Sequence, residues 1–144
     1  MPFFQIDGEP VEYELGEKVL SAVLRSGKII PHYCYHPGMS VVATCRMCLV
    51  DVIDMGNGRP APKLQTACSL DATEGMKVET LNQKVEEGRK LVNEFLLVNH
   101  PLDCPVCDQS GECILQDYSF EHGSGKSEMD YSKRVNGWRD IGTF

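Results

Sequence analysis

The chain reads as α+β in two parts, a β-grasp-like domain over residues 1–80 followed by a small, mainly helical domain over 81–144. Three observations predict this. Short stretches of strand character surround a single helix as far as Thr80, the apolar period then lengthens to that of a long helix, and the cysteines fall into two groups on either side of the change.

Phe3 to Ile6 and Val11 to Leu15 have strand character around Asp7-Gly8-Glu9-Pro10, which predicts a hairpin. From Gly16 to Arg25 the period switches, with Val19, Leu20, Val23 and Leu24 at helical spacing and Gly27 as the stop. Ile29 and Ile30 lead into a long loop holding Cys34, Cys45 and Cys48, in which Gly38 supplies a permissive hinge. Leu49 to Met55 alternates as a half-buried strand does, GNGRPAP at 56–62 is an exposed turn, and Leu64 to Cys68 and Met76 to Thr80 complete the strands. Beyond Thr80, a capping box of Thr80 with Gln83 opens a helix whose apolar stripe is Val85, Leu91, Val92, Phe95 and Leu96 and whose end is near Asn99. Irregular backbone at His100, Pro101 and Asp108 to Gly111 precedes a short last helix carrying Cys113, Ile114, Leu115 and Tyr118. From His122 the chain is polar, and this tail is expected to need a partner or more chain for order.

Composition excludes several classes. The 144 residues include 21 acidic and 14 basic side chains, and the resulting net charge of -7 repels phosphate backbones and anionic headgroups, so no nucleic acid partner is expected. No window offers the ~18 consecutive apolar residues of a membrane span, so no direct membrane insertion is expected. An odd count of seven cysteines, behind an N-terminus with neither a basic start nor an apolar run, speaks against a disulfide framework and for a reducing compartment.

The cysteines carry the chemistry. Cys34, Cys45, Cys48 and Cys68 form one set with spacing C-x10-C-x2-C-x19-C, and His100, Cys104, Cys107 and Cys113 form a second, H-x3-C-x2-C-x5-C. Together they use every cysteine. Three thiolates from one loop and a fourth from a neighbouring strand suit the four terminal positions of a two-iron core, while three thiolates and an imidazole suit a cubane whose four irons each take one ligand. Zinc competes on spacing alone, because Cys45/Cys48 and Cys104/Cys107 are ordinary knuckle pairs and four ligands also make a tetrahedral site. A redox-active dithiol at one pair is a lesser alternative. His32, His36 and His122 read as surface or loop-packing residues, and Asp103, Asp108, Glu112 and Asp117 as caps, turns or solvated groups. Arg46, in the short bridge between two ligands, either steadies a more negative reduced cluster or stands on the surface. No glycine-rich fingerprint places a flavin or nicotinamide, so electron relay without a substrate site is the expected role.

Two segments decide between iron and zinc. CYHPGMSVVATCRMCLVDV, Cys34 to Val52, resembles the [2Fe–2S] loop of the large iron–sulfur subunit of respiratory NADH:quinone oxidoreductase, complex I. NHPLDCPVCDQSGECILQDYS, Asn99 to Ser119, is similar to the same family's His/Cys3 [4Fe–4S] segment, and the helix KVEEGRKLVNEFLLVNHP between the sites also matches. The resemblance implies a [2Fe–2S] ferredoxin-like domain holding one [2Fe–2S] cluster on Cys34, Cys45, Cys48 and Cys68, and one [4Fe–4S] cluster on His100, Cys104, Cys107 and Cys113. It further implies relay from NADH and flavin toward quinone, beside a flavin-bearing NADH dehydrogenase subunit and other peripheral-arm subunits of complex I. The corresponding location is the cytoplasmic side of a bacterial inner membrane, or the matrix side in a mitochondrion. Ala43 stands where the family has glycine and Leu70 where it has proline. The family's subunit continues into a further [4Fe–4S] segment and a large molybdopterin-enzyme-like region, so a fragment, a split subunit or a compact relative is expected. Hydrogenase and NAD-dependent formate dehydrogenase modules resemble the same front part and form the alternative.

Overall fold

The computed structural model describes residues 1–101 and 103–127. Strands β1 (Phe3–Ile6) and β2 (Glu9–Glu12) form an antiparallel hairpin, pairing Phe3 with Glu12 and Ile6 with Glu9. The turn is the dipeptide Asp7-Gly8, with φ of 49° and 84°, the left-handed pair that matches strand twist in a two-residue hairpin. This corrects the expected second strand, Val11 to Leu15, because the shorter turn starts pairing at Glu9. Pro10 is tolerated there since β2 is the sheet's edge and needs no second ladder.

Helix α1 (Val19–Arg25) buries Val19, Leu20, Ala22 and Val23 and stops at Gly27, whose φ of 80° lets the amide of Lys28 return to the carbonyl of Val23. Strand β3 (Leu49–Met55) follows the long loop, β4 (Gln65–Thr66) is reduced to two residues of the expected Leu64 to Cys68, and β5 (Met76–Glu79) returns to the middle. The sheet order is β2-β1-β5-β3-β4, with β1 and β5 parallel and the other neighbours antiparallel. Phe4, Ile6, Leu20, Val50, Val52 and Met76 lie in one core between sheet and helix. A mixed α+β domain followed by a small helical region is therefore the architecture.

Helix α2 (Gln83–Leu97) departs from expectation at both its start and its buried face. Its N-cap is Asn82, whose side chain accepts from the amide of Val85 at 3.0 Å, not the expected Thr80–Gln83 box. Thr80 is otherwise engaged: its amide and hydroxyl both donate to Asp7, at 2.7 and 2.6 Å. The buried face is Val85, Arg89 and Asn93, while Leu91 and Phe95 from the expected apolar stripe are 66% and 80% exposed. Polar side chains take that face because carbonyl and hydroxyl partners wait inside for them. A short 3-10 turn (Cys104–Val106) and helix α3 (Ile114–His122) end the described chain. Most of the polar tail expected from His122, residues 128–144, lies outside the described residues.

Candidate functional site

The residues of the first expected set lie on the loop between α1 and β3 and on the turn after β4. That turn is held by an exchange of backbone bonds: the amides of Val19 and Leu20, which open α1, donate to the carbonyls of Leu70 and Ala67 at 2.9 and 3.0 Å. The helix start thereby satisfies its orphan donors without a side-chain cap, and Cys68 is fixed against α1. The amide of Leu70 in turn donates to Thr66 at 3.1 Å, a bond that a proline at 70 could not make. In the loop, Ala43 and Arg46 have φ of 56° and 63°, so Ala43 adopts the left-handed backbone that glycine favours.

The four thiols lie in one another's field. Burial raises the Cys34 thiol, but hydrogen bonds from the backbone of Cys45 and Thr44 more than reverse this and bring it down to about 7. Burial pushes Cys48 up to about 12, and Cys68 also up, with the neighbouring thiols Cys34 and Cys45 adding to the rise at Cys68. Such a group gathers a cost in its proton-free form that a bound cation would remove. A Cys34 thiol that ionises easily, with three more thiols near enough to act on one another's charge, suits the soft anionic donors that an iron–sulfur core takes.

The second set follows from three local turns. His100 sits just past α2, its amide bonded to Leu97 at 3.2 Å, Cys104 and Cys107 bracket the 3-10 turn, and Cys113 is the N-cap residue of α3. Gly111, at φ 84°, makes the reversal between Cys107 and Cys113. All four expected ligands line one open cavity of about 270 Å³, whose other walls include the apolar groups Leu97, Pro101, Leu115 and Phe120. No two of the seven cysteines are joined in a disulfide. Among the described residues, no three His, Cys, Asp or Glu side chains are gathered as a single metal ion would require.

The other histidines have other contacts. His32 Nδ1 lies 2.7 Å from the carbonyl of Ile30, His36 Nδ1 accepts from the amide of Gly38 at 3.1 Å, and His122 stacks obliquely on Tyr118. Arg46 is exposed. What sequence reading missed is the tie between the two sets. Tyr33, next to Cys34, donates to the wholly buried Asn93 at 3.1 Å. Asn93 donates to the carbonyl of Tyr118 at 2.9 Å, and the Tyr33 and Tyr118 rings meet edge to face at 5.1 Å. Burial, then the fields of Tyr118, Cys45 and Cys113, hold the Tyr33 phenol protonated and well above its ordinary range. Spacing of four from Val85 through Arg89 to Asn93 was the available signal.

A chain that folds a cysteine-bearing sheet domain onto a second Cys/His pocket is an iron–sulfur module of the electron-transport class. Residues 3–83 match the family described as 2Fe-2S iron-sulfur cluster binding domain, and residues 89–128 match the NADH-ubiquinone oxidoreductase-G iron-sulfur binding region. The chain belongs to the 2Fe-2S iron-sulfur cluster binding domain family and is homologous to the N-terminal iron–sulfur module of the G-type subunit of NADH-quinone oxidoreductase. It is 43% identical over 129 residues to that G-type subunit in Rickettsia felis, covering 90% of this chain and 18% of that protein. It is 45% identical over 124 residues to the mitochondrial NADH-ubiquinone oxidoreductase 78 kDa subunit of Candida albicans, covering 86% of this chain and 16% of that one. The chain thus spans under a fifth of the length of these relatives. Among solved structures, a chain of an NAD+-reducing [NiFe]-hydrogenase in the H2-reduced state superposes with a TM-score of 0.78 at 31% identity, over 96% of this chain and 55% of that one.

Proposed function

We propose that the chain is an electron-relay module of an NADH:quinone oxidoreductase of the complex I type, carrying electrons from NADH and flavin toward quinone. On this reading Cys34, Cys45, Cys48 and Cys68 hold a [2Fe–2S] cluster on a β-grasp domain over 1–80. His100, Cys104, Cys107 and Cys113 hold a [4Fe–4S] cluster in the domain over 81–144. Bound clusters would supply one-electron chemistry, and the protein's part is to position ligands, exclude water and set the local field. The observation that carries the reading is the convergence of all four second-set residues on one cavity.

The partners on this reading are a flavin-bearing NADH dehydrogenase subunit and other peripheral-arm subunits, at the cytoplasmic face of a bacterial inner membrane or the mitochondrial matrix face. No described helix is long and apolar enough to cross a membrane, as a peripheral position requires. A second reading, relay in an NAD-linked hydrogenase, is favoured by the likeness to the [NiFe]-hydrogenase chain.

Anaerobically isolated protein should contain about six irons and six acid-labile sulfides per chain. Stoichiometric zinc without sulfide would overturn the proposal. Copurification separates the two contexts: quinone-reductase subunits should travel with the chain, and a hydrogenase subunit in their place decides for the second reading. His100→Ala should abolish the four-iron paramagnetic signal and spare the two-iron one. Retention of both assigns the fourth iron to another group.

A further inference from the structure

Arg89 is a buried cation with no ion-pair partner among the described residues. Its side chain lies on the inner face of α2, and the residue is 4% exposed. Gly88 brings the helix close to the sheet here, since a Cβ at 88 would lie 2.9 Å from Leu64 Cδ1 and 3.1 Å from Leu49 Cδ1. One terminal nitrogen of Arg89 donates to the carbonyl of Thr80 and the other to the carbonyl of Leu49, both at 3.1 Å, while Nε has no partner. None of the five ion pairs among the described residues involves it.

Carbonyl oxygens hold a guanidinium in place but do not neutralise it, and an uncompensated charge in a protein interior is costly. The charged and titratable groups whose field reaches Arg89 are few. Asp7 contributes the largest of these fields from the β1–β2 turn, but it is exposed and screened by solvent, Glu86 is exposed on the same helix, and Tyr118 and His122 face it from α3. The remaining group is Cys48, buried one residue before the carbonyl that Arg89 grips. Burial lowers the pKa of Arg89, yet a guanidinium stays charged throughout the neutral range.

We infer that Arg89 is the fixed counter-charge of the first ligand set, raising the reduction potential of the two-iron cluster held there. The inference rests on the iron–sulfur reading. Accepting one electron makes a cluster and its thiolates one unit more negative, and a nearby buried cation favours that state more strongly than the oxidised one. Arg89 touches no reacting atom, so it is a tuning residue acting through the field. Arg46, the cation that sequence reading placed near the cluster, is exposed and far better screened.

The test is an anaerobic potentiometric titration of the full chain with dithionite, following the two-iron and four-iron paramagnetic signals separately. Absence of a two-iron signal from the unaltered protein would refute the iron–sulfur reading itself. With that signal present, Arg89→Gln should lower the two-iron midpoint by a tenfold change in the reduction equilibrium, 59 mV for one electron, and leave the four-iron midpoint in place. Arg89→Lys keeps a charge that titrates when buried. Its two-iron midpoint should match the unaltered protein at low pH and fall as pH rises. The unaltered protein, titrated over the same range, supplies the baseline against which that fall is read. A purely structural anchor would lower thermal stability in both variants with midpoints unchanged, and that result overturns the inference. Should Arg89→Gln fail to take up the two-iron cluster, the pH dependence of Arg89→Lys decides alone: a midpoint that tracks the unaltered protein at every pH refutes the role.

Discussion

Arg46 and Ala43 hold left-handed backbone inside the ligand loop, a conformation that costs a non-glycine residue roughly 1–2 kcal/mol. Arg46 is exposed, so little opposes its replacement. Arg46→Gly should stabilise the cluster-free chain by about 1 kcal/mol, read as a higher denaturant midpoint at an unchanged slope. A lower midpoint would show that the guanidinium makes a contact worth more than the backbone relief. Glu17 supplies a pH signature at the same scale. Its carboxylate accepts from Arg25 at 2.8 Å and from the amide of Glu14 at 2.9 Å, and the bond from Arg25, first, holds its folded-state pKa below the ordinary value. A depressed carboxyl contributes stability that is present above its unfolded pKa and lost as pH falls through the folded one. Glu17→Gln should therefore be the less stable protein at neutral pH, and its deficit should close as acid is added below the usual glutamate range. Equal deficits at pH 7 and in strong acid would place the contribution elsewhere.

Among elements, α2 shows where local pattern ends and tertiary structure begins. Its helical period was legible, and so were α1, β3 and β5, because each repeats apolar residues at its own spacing over a whole element. The cap was not. Thr80 with Gln83 satisfies the local pattern of a capping box, but Asp7, 73 residues away, takes both donors of Thr80 and leaves the cap to Asn82. The buried face was misjudged for a related reason: Arg89 and Asn93 enter the interior because fixed carbonyls accept their protons, and hydrophobicity does not encode that. The expected ligand positions, by contrast, came from spacing alone, and the four of the second set line one cavity. Asn82→Ala should cost about 1 kcal/mol. The same substitution at Gln83 should cost under half of that, because its amide only meets exposed Glu87 one turn on. Comparable losses at the two positions in denaturation midpoints would restore the capping box.

At the scale of the molecule, the two ligand sets are joined by one buried polar knot. Asn93 accepts from Tyr33, which precedes Cys34, and donates to Tyr118 of α3, the helix that begins beside Cys113. The amide of His32 closes the circuit on the Tyr118 hydroxyl at 3.3 Å. Arg89, one turn earlier, ties α2 to the sheet side, so α2 stays attached if Asn93 is lost, whereas α3 falls back on the longer bond from His32 and the ring contact with Tyr33. Asn93→Ala strips a partner from the part-buried Tyr33 hydroxyl and from the Tyr118 carbonyl, for a cost of about 2–3 kcal/mol. The damage should be uneven. With α3 released, Cys113 loses its fixed place in the cavity, so heating should abolish the four-iron signal well before the two-iron signal. In the unaltered protein the two should disappear together. Paramagnetic spectra of samples warmed stepwise and then frozen make the comparison. If both signals vanish in parallel in Asn93→Ala, at the temperature of the unaltered protein, the knot does not couple the two sites.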